Sequence, residues 1–204
     1  MKAIETNYNG YRFRSRLEAR WAVFFDKAGI KYKYETEGFK TSNGLYYLPD
    51  FYLPDLKVFV EVKGEFSDTD WNKIYAFQED LSKDYRGILI LRDIPNVNNR
   101  HTLWDAFENV GTAGFRFLFP NEGEDEPYLF CVCPRCGKVG LEFDGRGWRV
   151  DDCSPVIETG EKLYYPDAVS IGHEDKGYSF DHPKLIEAYK KALSARFEHG
   201  EHGL

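Results

Sequence analysis

Leu48-Pro49-Asp50, ten intervening residues, then Glu61-Val62-Lys63-Gly64 is the stretch from which the rest of the chain is read. Val58-Phe59-Val60-Glu61-Val62-Lys63 has the composition of a strand. Side chains alternate faces along a strand, so Val58, Val60 and Val62 share one face and Phe59, Glu61 and Lys63 the other. The valine face is expected in a core. The other face then presents a carboxylate and an ammonium two positions apart. Asp50 interrupts the apolar run from Leu45 to Leu53. A hairpin through Pro54-Asp55-Leu56-Lys57 would bring Asp50 beside Glu61. Two hard oxygen ligands with a lysine nearby suit a Mg²⁺ site that activates water. Gly64 ends the strand abruptly, as close backbone approach to a ligand would require. The plain alternative is an ordinary Glu/Lys pair on a surface strand. The apolar character of 58–62 argues against a solvated edge.

Working outward, Phe13, Leu17, Trp21, Phe24, Phe25 and Ala28 recur at helical spacing over 14–28, and Gly29 is a C-terminal stop. Glu18 projects about 100° from Leu17, at the margin of the apolar stripe. Two readings of it stay open. Ser15-x-x-Glu18 fits a capping box in which Glu18 returns to the Ser15 amide. The same carboxylate could point along the sheet edge toward Asp50 and Glu61. Residues 30–36 and 45–53 read as strands joined by a turn at Asn43-Gly44. Ser67-Asp68-Thr69-Asp70 opens a second helix with Trp71, Ile74, Phe77 and Leu81 on its apolar side. Lys73 and Gln78 on that helix read as solvent-facing polar residues. Ile88–Leu91 is a short buried strand, Leu103–Phe107 a short helix and Phe115–Phe119 another strand. A last helix runs from Pro183 to Phe197, with Pro in its first turn.

Leu48-Pro49-Asp50-Phe51 followed by Val60-Glu61-Val62-Lys63-Gly64 resembles the PD-(D/E)XK nuclease superfamily. Phe13-Arg14-Ser15-Arg16-Leu17-Glu18-Ala19-Arg20-Trp21 is similar to the first helix of its resolvase-like and transposase-like branches, which carries a glutamate in such a setting. Gly87 to Pro95 looks like the strand after the second core helix. The resemblance covers about the first half of the chain. The whole arrangement is similar to phage members in which a Cys-containing tail follows the nuclease core. The resemblance implies an α/β fold with a restriction-endonuclease-like core, a mixed central sheet flanked by helices. It implies metal-dependent hydrolysis of DNA phosphodiester bonds, with branched or phage DNA among the substrates. Asp50, Glu61 and the main-chain carbonyl of Val62 would hold Mg²⁺ (or Mn²⁺). Lys63 would orient the attacking water or offset the developing phosphorane charge. Glu18 would be a further metal or water ligand, and Arg14, Arg16 and Arg20 would contact phosphate. Two rivals are kept: a catalytically silent nucleic-acid-binding module, and a phage structural or interaction protein. A silent site need not keep Asp50, Glu61 and Lys63 together.

Composition is consistent with this. The chain has 204 residues, 42% of them hydrophobic and 17% aromatic, enough for a substantial core. A net charge of −7 argues against nonspecific coating of nucleic acid. The charge is uneven, however. Residues 1–40 hold nine Lys/Arg against five Asp/Glu, a local +4 that leaves −11 elsewhere. The basic end coincides with the half where phosphates would bind. No apolar run is long enough for a membrane span, and the first residues carry no signal-type apolar segment, so a cytoplasmic protein of a bacterium or phage-infected cell is expected. DNA is the expected partner, with a homodimer as an allowed assembly.

All four cysteines lie in the second half. Cys133-Pro134-Arg135-Cys136-Gly137 is a knuckle in which two thiolates converge on one metal. Cys131 and Cys153 would complete a structural Zn²⁺ site, with His173, His199 and His202 as alternative ligands. Buried reduced cysteines, a redox pair and a disulfide are the other readings; a cytosolic setting disfavours the disulfide. The acidic run from Pro120 to Pro127 reads as a linker. The expected organisation is a nuclease-like core over 1–120 and a small metal-stabilised α+β region over 121–204.

Overall fold

The computed structural model of the chain describes residues 4–97, 115–120, 125–132, 137–143, 148–149, 169–170, 176–177 and 182–197. Its centre is a mixed sheet. β1 (Thr6–Tyr8) and β2 (Tyr11–Phe13) form a hairpin that leads into α1 (Arg16–Ala28). Ser15 caps α1, and Gly29 ends it in the left-handed conformation (φ 71°), which glycine adopts without a Cβ penalty. Then follow β3 (Lys33–Tyr34), β4 (Phe39–Lys40), β5 (Tyr46–Tyr47), β6 (Phe51–Leu53) and β7 (Val58–Val62). Helix α2 (Asp68–Asp80) crosses over to β8 (Gly87–Leu91), and β9 (Arg116–Leu118) and β10 (Asp125–Pro127) extend the sheet. The order across the sheet is β10-β9-β8-β7-β6-β3. Only β7 and β8 run parallel; the other pairs are antiparallel. A parallel pair needs a long crossover, and α2 supplies it.

Both faces of the sheet are covered. Val58, Val60, Val62, Leu89 and Leu91 face α1 and the final helix α3 (Pro183–Ser194). Phe59, Ile88 and Ile90 face Ile74 and Phe77 of α2. The valine face is therefore in the core as expected. The opposite face is buried too, beneath α2, and polar groups come only at the end of β7, at Glu61 and at Lys63 just beyond it. The larger core is rich in aromatic rings. Phe24 stacks on Tyr189 of α3 with centroids 4.4 Å apart, and Trp21 meets Phe115 edge-on at 5.4 Å. Such pairs add about 0.5–1.5 kcal/mol each beyond the area they bury.

The apolar run 45–53 is divided between two sheets. Tyr46–Tyr47 pairs with β4 across the Asn43-Gly44 turn, and Phe51–Leu53 joins the main sheet between β3 and β7. Pro49 lies at the break; it has no N–H to continue a ladder. The expected strand 30–36 is shortened to Lys33–Tyr34, where Glu35 turns the chain away at a positive φ of 42°. Gln78 faces inward: it is buried, and its amide donates to the Phe119 carbonyl at 2.8 Å, fastening α2 to the end of β9.

β9 and β10, on either side of the expected boundary at 120/121, pair antiparallel in the one sheet. Beyond them β11 (Leu129–Val132), β12 (Val139–Phe143) and β13 (Trp148–Arg149) form a second, antiparallel sheet. Its Phe130 packs on Phe24 at 5.1 Å, and α3 lies against α1, so both belong to the core built by the first 120 residues. Cys131 is buried in β11. Cys133, Cys136, Cys153, His173, His199, His202 and the helix expected at Leu103–Phe107 lie outside the described residues. Among the described residues no helix is long and apolar enough to cross a membrane.

Candidate active site

The β6–β7 hairpin turns through Pro54–Lys57, with the Leu56 and Lys57 amides bonded back to Leu53 and Pro54. Phe51 pairs with Val60, so Asp50 stands opposite Glu61, one step beyond the paired strand. By alternation both side chains lie on the α2 face, with Tyr52 and Phe59. The Lys63 amide bonds to Leu91 O of β8 at 3.0 Å. The even-numbered residues of β7 therefore direct N–H and C=O toward β6. At Val62 the ladder has no β6 partner left, and the Asp50 carboxylate takes the place of the missing acceptor. Val62 N–H donates to Asp50 Oδ2 at 2.8 Å. The Val62 carbonyl lies on that same edge of the strand.

Around this pair the chain assembles a charged corner. Asp50 is 5% exposed, and its Oδ1 accepts from the Arg14 guanidinium at 3.2 Å. Arg14 also forms an ion pair with Glu35. Glu18 is buried and saturated with donors: Tyr34 Oη at 2.6 Å, Ser15 Oγ at 2.6 Å and the Arg14 amide at 3.1 Å. Ser15 Oγ in turn accepts from the Glu18 amide at 3.1 Å. The cap is thus reciprocal, but Glu18 returns to the Arg14 amide and the Ser15 hydroxyl, not to the Ser15 amide. Tyr47 Oη donates to Glu61 Oε2 at 2.7 Å. Lys63 Nζ forms an ion pair with Asp70 Oδ1, and Asp70 closes the capping box of α2 with Ser67.

Electrostatics follow from this crowding. Burial pushes the Asp50 carboxyl well above its usual range, and repulsion from Glu61 and Glu18 adds to it; the Val62 N–H and Arg14 pull the other way and do not prevail. Burial lifts Glu61 to about 7 despite Tyr47, Lys63 and Arg14. Asp70 is the reverse case. Its partial burial would raise it, but hydrogen bonds from Lys63 and Ser67 outweigh that and hold it at about 2.

Asp50 and Glu61 are thus brought together, with Glu18 near enough to Asp50 to repel it. Lys63 shares the corner but is tethered to α2. Arg14 is held by Asp50 and Glu35. Arg16 and Arg20 lie along α1, half-buried, and their Nε atoms have no hydrogen-bond partner among the described residues. Four residues of the corner were not singled out from sequence: Tyr34, Glu35, Tyr47 and Asp70. Asp70 was visible only as a helix-start residue. The other three acquire partners 14 to 21 positions away, for which a linear pattern holds no signal.

The donor set suits a hard divalent cation. Two adjacent carboxylates, one of them almost wholly buried, repel each other and resist ionisation, which is the condition a bound cation relieves. Mg²⁺ keeps several waters and needs only one or two carboxylates from the protein. Among the described residues no group of three or more His, Cys, Asp or Glu side chains is arranged around a common point. Asp50, Glu61 and the Val62 carbonyl are the oxygens this corner offers. Compared with known proteins, the chain matches no family model, no curated protein and no solved structure.

Proposed function

We propose that the chain is a metal-dependent deoxyribonuclease with a restriction-endonuclease-like core of the PD-(D/E)XK type. One observation supports it above the others: the hairpin register sets Asp50 against Glu61, with the Val62 amide bonded to Asp50 and Lys63 next along the strand. A structural pair of acids would be expected at the surface or matched by cations. This pair is sunk at the end of a sheet with more negative than positive charge around it, an arrangement that marks functional sites more often than stable cores.

In this reading Asp50 and Glu61 hold the cation, joined by the Val62 carbonyl. When bound, Mg²⁺ supplies Lewis acidity to a phosphate oxygen and lowers the pKa of water. The chain's own residues do the rest. Arg14 and the Val62 N–H hold the Asp50 carboxylate in one orientation, and Tyr47 does so for Glu61. Glu18 fixes the entry to α1 and keeps Tyr34 and the Arg14 backbone in place beside Asp50. The Lys63 ammonium, steered by Asp70, offsets charge on the reacting phosphate or orients the attacking water. Hydrolysis then adds water to phosphorus and breaks one P–O ester bond, leaving a phosphomonoester and a free hydroxyl. A structural Zn²⁺ on Cys131, Cys133, Cys136 and Cys153 belongs to the same proposal, with metal analysis of reduced protein as its check.

The test is a panel of branched, linear, nicked and single-stranded DNAs incubated with Mg²⁺, Mn²⁺ or EDTA. Cleavage with either metal, abolished by EDTA and by Asp50→Asn, is the expected result. Binding without cleavage under every condition would instead identify a silent binding module, and neither binding nor cleavage would end the proposal.

A further inference from the structure

The sheet face that carries Glu61 and Lys63 has a second feature beside them. Phe66, Trp71 and Tyr75 form a column of rings. Phe66 and Trp71 stack with centroids 4.8 Å apart and planes at 30°; Trp71 and Tyr75 stack at 5.6 Å and 22°. Trp71 and Tyr75 are four residues apart on α2 and so share one side of that helix. The Arg92 guanidinium lies over the Phe66 ring at 5.5 Å, and that of Arg116 over Trp71 at 5.4 Å. At the other end Tyr75 is 39% exposed. The column is covered by a cation at Phe66 and open to solvent at Tyr75.

Register places this column next to the acids. Glu61 pairs with Ile90, and Ile90 with Arg116, so these three form one row across the sheet. Two residues on, the same parallel register sets Lys63 beside Arg92. Adjacent strands are about 4.8 Å apart, so the Arg92 backbone is about one strand from Lys63 and that of Arg116 about two from Glu61. An acidic chain has thus set two arginines and three stacked rings along the edge of its carboxylate corner. A ligand that suits both must offer negative charge and a flat π face within a few ångströms of each other. A nucleotide does so. A base inside a duplex does not, because both of its faces are already stacked.

We propose that the column is a stacking platform for an unpaired nucleobase, and that the strand whose phosphodiester lies at Glu61 and Lys63 sets a neighbouring base on Tyr75. Arg92 and Arg116 face the intervening phosphates. The inference rests on the nuclease reading for the path of the strand. It narrows the substrate to DNA with unpaired bases beside the scissile bond: tails, flaps, frayed ends or branch points, not uninterrupted duplex.

The test measures binding in EDTA, where no cleavage occurs, by fluorescence anisotropy of a labelled duplex with a single-stranded tail and of the same duplex with blunt ends. The wild-type chain should prefer the tailed DNA. Tyr75→Ala should weaken tailed binding by about tenfold, while Tyr75→Phe, which keeps the ring, should stay within about twofold of wild type. The slope of affinity against salt should be unchanged in both variants, because stacking releases no counterions. Equal affinity for tailed and blunt DNA, no DNA binding at all, or a Tyr75→Ala protein that binds tailed DNA like wild type overturns the platform. The two readings fail separately. Cleavage that needs Glu61 but not Tyr75, with binding unmoved, removes the platform alone. Tailed binding that needs the Tyr75 ring, in a protein that cuts nothing, supports the platform and removes the nuclease.

Discussion

Asp50 and Glu61 set two carboxylates opposite each other at the end of the sheet. Burial raises both carboxyls, and repulsion from Glu61 and Glu18 adds to it at Asp50. Glu61→Gln keeps the shape and the hydrogen bond from Tyr47 while removing one charge. Under the proposed nuclease reading, the expected outcome is loss of DNA cleavage by about 100-fold or more, with a melting temperature in EDTA that is unchanged or higher. Activity and thermal unfolding measured on one preparation check both halves. Asp70 behaves oppositely. Its folded-state pKa of about 2 lies below its ordinary 3.8. The stability it contributes is therefore complete above about pH 4 and is lost as pH falls through about 2. Solvent reaches this side chain, so the contribution is about 1 kcal/mol at most. Asp70→Asn should lower stability by that amount at neutral pH, by less near pH 2 and by almost nothing below it. Urea titrations across that range would show a constant difference if the Lys63 and Ser67 contacts were unimportant.

At the scale of elements, the residues that decide geometry are often the smallest. Gly87 opens β8 where it passes β9. A Cβ there would lie 2.3 Å from the Leu118 carbonyl oxygen and 2.6 Å from the Phe117 ring. Backbone cannot yield as a side-chain tip does. Gly87→Ala is therefore expected to cost about 3 kcal/mol in denaturant unfolding, against a few tenths for the same change at Gly64, whose Cβ would meet nothing. The contrast matters for the site. Gly64, read as a place of close ligand approach, has open space around it, whereas Gly87 holds β8 against β9 and so sets the row that runs from Glu61 to Arg116. Helix starts were legible because the capping residues are local: Ser15 and Ser67 cap the helices their spacing announces. Strand partners were less so, because Pro49 divides what looks like one apolar run.

For the molecule as a whole, the first 120 residues complete their core with residues from beyond that point. Trp21 and Phe24 meet Phe130 of β11 and Tyr189 of α3, all of them buried. A fragment ending at residue 120 would expose the apolar side of α1 and leave β9 without its partner β10. It is expected to bind ANS and to lack a cooperative unfolding transition, whereas the whole chain is expected to unfold cooperatively. Circular dichroism melts of both would decide, and a sharp melt for the fragment would show that the C-terminal half is dispensable for the fold.

What the sequence determined by itself is local: the period-two alternation of 58–63, the helical spacing in 14–28 and 68–80, the serine caps, and the hairpin that puts Asp50 opposite Glu61. Each depends on residues within about a dozen positions, and backbone geometry converts such spacing directly into facing and register. Only the tertiary structure decided the rest. It set Tyr47 on Glu61, Tyr34 on Glu18, and Asp70 on Lys63, and it turned Gln78 inward. It brought α3 onto α1 from more than 150 residues away. It also aligned the aromatic column of α2 with arginines from β9 and the end of β8. These contacts depend on which faces of distant elements bury each other, and burial is a property of the assembled layers that no linear spacing contains.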